Sequence, residues 1–138
     1  MNELILFISG GLGALLTFIV AHELKQGAVR ASAGLSLIVG LVFYGLAELV
    51  GPILAIEIPL VFFGASFVGM TGSAVVKGKW LILFGGLIFS GIYLASTEVF
   101  DGFGGKLGTA ACVSSLLVLG VGFLLERVLT TKSTKDAK

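Results

Sequence analysis

The sequence predicts an all-α, polytopic membrane protein, a bundle of five transmembrane helices, and three observations carry that prediction. Apolar stretches at 4–20, 32–50, 58–76, 80–95 and 107–129 fill nearly the whole chain. Composition agrees, with 57% hydrophobic residues, 12% charged residues and a mean hydropathy of +1.11, values that call for a lipid surrounding. The basic residues fall in alternate connections, as the loops of a multi-pass chain require. Each backbone N–H and C=O in hydrocarbon must be satisfied within its own segment, so apolar runs of this length read as helices.

The first stretch follows Met1-Asn2-Glu3 directly and lacks the basic leader of a cleaved signal, so it is expected to stay as a span. It carries Ser9-Gly10-Gly11-Leu12-Gly13-Ala14, a surface small enough for close helix contact. The His22-Glu23 pair closes it. Neighbouring positions point about 100° apart, which favours interfacial capping over a proton relay. The second stretch ends in Gly45-Leu46-Ala47-Glu48-Leu49-Val50-Gly51. Between it and the third lies a connection bounded by Pro52 and Pro59, the only prolines, around the apolar run Ile53 to Ile58 that contains Glu57. That run reads either as the distorted start of the third helix or as a short re-entrant piece. The third stretch holds Gly64 to Gly72, the place where an interrupted helix is expected if the bundle has one. Lys79 and Trp80 open the fourth as an interfacial anchor. The fifth contains Cys112, the sole cysteine, read as a small packing residue. Residues 130–138 form a short, polar, basic tail expected to be unstructured.

Orientation follows from charge. Lys25 and Arg30, then Lys77 and Lys79, then Arg127, Lys132, Lys135 and Lys138 place eight of nine basic residues on one side. Glu3, Glu48, Glu57, Glu98 and Asp101 fall on the other, with Lys106 as its single cation. The positive-inside rule puts the N-terminus outside and the C-terminus in the cytoplasm of a bacterial-type inner (plasma) membrane. Glu48 and Glu98 end the second and fourth stretches, and each is followed by a glycine-rich descending segment. That pattern points to a parallel repeat of two hairpins; the competing explanation is that glycine-rich helices resemble one another by composition.

About 20 residues per span leave no room for a separate soluble domain in 138 positions. One histidine, one cysteine, and no His-x-x-His, Cys-x-x-Cys or Walker sequence give no catalytic, metal or cofactor constellation, so no enzymatic activity is expected. A net charge of +1 suggests no nucleic-acid partner. The expected function is passage of a small ion or solute by a homo-oligomeric channel or transporter. The ion is expected to be a cation, because Glu48, Glu57, Glu98 and Asp101 would gather at one mouth. Ser66 and Thr71 would line the path, unless their hydroxyls bond back to their own helix. Lys106 is expected to pair with Glu98 or Asp101, or to snorkel. The alternative is a non-transporting subunit packed against a larger membrane complex, and in either case membrane lipids are partners.

Overall fold

A computed structural model describes residues 2–72, 76, 78–96 and 105–136, with side chains described as far as Arg127 except that of residue 126. These residues form six helices: α1 (Asn2–His22), α2 (Ala28–Gly45), α3 (Ala47–Val50), α4 (Pro52–Gly69), α5 (Lys79–Ala95) and α6 (Lys106–Asp136). Four of them, α1, α2, α4 and the Lys106–Leu125 part of α6, are long and apolar enough to cross a membrane, while α5 is shorter at 17 residues. The chain is a multi-pass membrane protein.

Local sequence explains the boundaries. The α1–α2 connection turns through left-handed backbone at Lys25 (φ 52°) and Gly27 (φ 81°). Gly51 (φ 92°) makes a second tight turn, and Pro52 then opens α4 at once, since its fixed φ suits a first helical turn and its missing N–H would have had no partner there. The apolar run Ile53 to Ile58 is therefore the first turns of α4 and not a re-entrant piece. This shifts the third span from 58–76 to 52–69. The helix is continuous through Gly64 and stops at Gly69, so the glycine-rich segment terminates it instead of interrupting it. Pro59 lies within α4, where it removes the N–H that would bond the Ala55 carbonyl; beside it the Ser9 hydroxyl donates to the Ile58 carbonyl at 3.2 Å and ties α1 to α4. The second span, expected at 32–50, divides at Leu46 into α2 and the single turn of α3. At the far end α6 runs on to Asp136, so the backbone through residue 136 is helical where an unstructured tail was expected.

Contacts fix the helix directions. Gly13 meets Phe62 and Thr17 meets Gly69, so α1 and α4 run side by side in the same sense. Gly10 meets Gly86 and Ser90, and Leu6 meets Ser90, so α5 runs against α1. Ser32 bonds Ser66, and Val118 packs on Gly85, so α2 opposes α4 and α6 opposes α5. We call the end where α1 begins the upper end. Among the described residues Glu3, Glu48, Glu57 and Lys106 lie toward it, and Glu23, Lys25, Arg30, Lys79 and Arg127 toward the other.

The centre is α1, packed on α4 and α5, with α2 outside α1 and α4, and α6 outside α4 and α5. Lipid tails are as apolar as leucine, so association here rests on how closely backbones approach. A methyl group on Gly13 would lie 2.7 Å from the Phe62 carbonyl oxygen, one on Gly86 would lie 2.5 Å from that of Gly10, and one on Gly69 would strike that of Ala14. Gly64 opens the space that the Phe89 ring and Leu107 fill, and Gly85 that of Val118 and Val68. The glycines in closest contact thus belong to α1, α4 and the ascending α5. Those at 108 and 120 in the last helix meet nothing, although the sequence marks that helix as glycine-rich.

Gly13→Ala and Gly69→Ala should each lower stability by about 1–3 kcal/mol, because carbonyl backbone cannot move aside. Gly40→Ala, which meets no atom within 4 Å, should be neutral or stabilising by up to about 1 kcal/mol. SDS-induced unfolding in mixed micelles reads the difference, and equal effects at the two kinds of site would contradict the packing.

Candidate functional site

Of the acidic residues expected at one mouth, Glu48 is exposed on α3 and Glu57 is half-buried in the second turn of α4; Glu98 and Asp101 lie outside the described residues. The upper end is organised around Tyr93 instead. Its ring is buried near the end of α5, in line with Phe89 at 6.2 Å between centroids and 25° between planes. The Lys106 ammonium, at the first residue of α6, lies over the Tyr93 ring at 4.1 Å. From α4, the Glu57 carboxylate is close enough for its charge to act on the Tyr93 phenol. The α5–α6 hairpin thus sets the ammonium on the phenol ring, with Glu57 of α4 at the same end of the bundle. The ring face attracts the cation electrostatically, worth about 0.5–2 kcal/mol depending on how far it is desolvated.

Tyr93 was legible only as one hydroxyl among many. The signal that singles it out is topological: Tyr93 ends one helix and Lys106 begins the next, so a hairpin sets them side by side.

The hydroxyls along the helices bond to backbone or to each other. Ser66, fully buried, donates to the Phe63 carbonyl at 2.6 Å and therefore accepts from Ser32 at 2.6 Å, which ties α2 to α4. Thr71 donates to the Val68 carbonyl at 2.7 Å, just past the end of α4. Ser90 divides its proton between the Gly86 and Leu6 carbonyls at 3.1 and 3.3 Å, and Ser114 donates to Ala110 at 2.7 Å. Such bonds satisfy the hydroxyl within or between helices. Among the described residues two buried hydroxyls are exceptions, Ser36 on α2 and Thr17, which is fully buried against Gly69: neither oxygen has a partner, and at Thr17 this costs about 1–3 kcal/mol that the α1–α4 contact must offset.

At the lower end His22 Nδ1 lies 3.0 Å from the Phe18 carbonyl, which can only accept, so that nitrogen carries the proton and the ring stays against its own helix. Glu23 pairs with Lys79, linking the end of α1 to the start of α5. Among the described residues, two apolar cavities open on the bundle. One, of about 290 Å³, opens between α1, α2 and α4 around Leu12, Val39 and Phe43. The other, of about 440 Å³, opens between α5 and α6. Neither is lined by Ser66 or Thr71. The chain matches no protein-family model and shows no similarity to curated protein sequences or to solved structures.

In a double-mutant cycle, Tyr93→Leu and Lys106→Gln should couple by about 0.5–1 kcal/mol in unfolding free energy. Glu48→Gln, on the exposed turn, should stay within about 0.5 kcal/mol of the parent.

Proposed function

We propose that the chain is a subunit of a homo-oligomeric membrane channel or transporter, and that the path for a small ion or solute is built between copies, not through one. The observation that supports this reading is the contrast between the centre and the periphery. Where α1 meets α4 and α5 the backbones approach too closely to leave a lumen, and the described hydroxyls there, Thr17 apart, are bonded to carbonyls or to each other. By contrast only 11% of the apolar window of α2 and 22% of that of α6 is covered, against 50% for α1 and α4. On this reading α5 also crosses, as the fourth of five spans, the upper end is extracellular, the lower end is cytoplasmic, and the membrane is a bacterial-type plasma membrane. The hairpins α2–α4 and α5–α6 form the two units of a parallel repeat.

A cation is the favoured solute. Glu48, Glu57, Glu98 and Asp101 share the upper side in sequence, and a ring of such groups in several copies would raise local cation concentration. The alternative, a non-transporting subunit against a larger complex, is favoured by one observation. Lys106 brings a positive charge into the acidic end and is held on Tyr93.

Cys112 is exposed on α6 and is the chain's only cysteine, so the unmodified protein reports on its own assembly. Bis-maleimide treatment in membranes should link Cys112 to Cys112, and proteoliposomes of the purified chain should pass sodium, potassium or protons, with flux falling in Glu57→Gln. A chain that stays monomeric, unlinked and without flux would sink the reading. Linkage to a different protein would favour the alternative.

A further inference from the structure

Of the 18 residues of α2 only Ala31 and Ser32 are buried, and both lie in its first two turns. The inward face of the helix runs Ser32, Ser36, Val39, Phe43, spacings that keep all four on one side. Below, that face is small, and Ser32 comes close enough to α4 to bond the Ser66 hydroxyl at 2.6 Å. This is the one side-chain hydrogen bond from α2 to another helix among the described residues. Above, the face is bulky. Val39 and Phe43 stand off from Leu12 on α1 and from Ile58 and Phe62 on α4 across the cavity of about 290 Å³. The helix is thus pinned at its lower end and splayed at its upper end.

Ser36 sits between the pin and the cavity. Its hydroxyl oxygen is buried without a partner, whereas Ser90 and Ser114 each bond the carbonyl one turn back in their own helix. An unpaired buried hydroxyl is costly, and a gap between side chains forfeits their dispersion contacts. One motion relieves both. Closing the splay brings Ser36 against the α4 turn above Ser66, where each carbonyl keeps a second lone pair, and brings Val39 and Phe43 onto α1 and α4. The motion is small: the arm from Ser32 to Gly45 is about 20 Å long and about 10 Å wide, so the cavity closes with a swing of about 3 Å at the tip. The ends of the arm allow it. Gly27 and Gly51 flank the α2–α3 unit at positive φ with no atom within 4 Å of a side-chain position, and the helix already breaks at Leu46.

We propose that α2 is a hinged helix that swings about the Ser32–Ser66 bond between the splayed position and one closed on α1 and α4, with Ser36 favouring the closed position. Anything that binds the outer face of α2 more tightly in one position, a second copy included, shifts the balance. The hinge goes beyond the transport reading and stands without it.

The test places a trifluoromethyl label on the Cys112→Ser chain, at Tyr44→Cys above the pin or at Val29→Cys below it, positions 84% and 75% exposed in the parent, so the label does not enter the packing. In lipid nanodiscs, fluorine NMR should give two resonances from the upper label, or one exchange-averaged resonance, and a single resonance from the lower. Ser36→Ala, which removes the hydroxyl that closure satisfies, should shift the upper equilibrium about tenfold toward the splayed position. Val39→Phe, which fills the cavity, should shift it the same way, and neither should move the lower resonance. An upper resonance that neither substitution displaces would overturn the proposal. So would opposite displacements by the two substitutions, and so would equal heterogeneity at both labels, which would belong to the whole chain and not to a hinge.

Discussion

The approach of the α1 backbone to those of α4 and α5 is the constraint on which the rest of this bundle depends. Outside a membrane a five-helix core would be held by burial of leucine and phenylalanine against water. In lipid that term is absent between helices, and contact area at short distance takes its place. Gly10 and Gly13 on α1, Gly69 on α4 and Gly86 on α5 remove the side chains that would hold the axes apart, and carbonyl oxygens of one helix then lie against the backbone of the next. Once α1 is fixed between α4 and α5, the hydroxyls of Ser9 and Ser90 fall within reach of the Ile58 and Leu6 carbonyls, so the polar bonds follow from the glycine contacts.

The same constraint shapes what the chain can do. A centre this close pairs the Ser9, Ser66 and Ser90 hydroxyls inside the protein and leaves little for a solute. Activity is then expected where the helices are uncovered, along α2 and α6, or at the ends where charge collects. The two ends differ in kind. Above, the Lys106 ammonium lies on the Tyr93 ring, so the cation–π contact joins α5 and α6 at that end. Below, the Glu23–Lys79 pair is exposed at the surface, where an ion pair contributes at most about 1 kcal/mol.

Much of the helical layout was legible in the sequence because it rests on apolar run length, which lipid enforces. The fourth stretch, 80–95, matches α5 to within a residue, and the fifth begins where expected. The third was displaced because hydropathy does not see backbone conformation. Ile53 to Ile58 is apolar whether helical or not, and the deciding facts are the positive φ at Gly51 and the aptness of Pro52 for a first turn. Glycine content signalled close packing but not its location: Gly108 and Gly120 look like Gly10 and Gly13 in sequence, and only the fold shows which of them meet a neighbour. For Ser66 and Thr71, residue type allowed either a path or a bond to the backbone, and local helix geometry provides the bond.

The most direct test of the central place of α1 is to divide the chain in the exposed connection after Gln26 and express residues 1–26 and 27–138 as separate, differently tagged polypeptides in one membrane. The account predicts that the two fragments purify together, and that Gly69→Leu in the larger one abolishes the association by striking the Ala14 carbonyl. A larger fragment that purifies alone as a folded, stable bundle, or an association indifferent to Gly69→Leu, would contradict it.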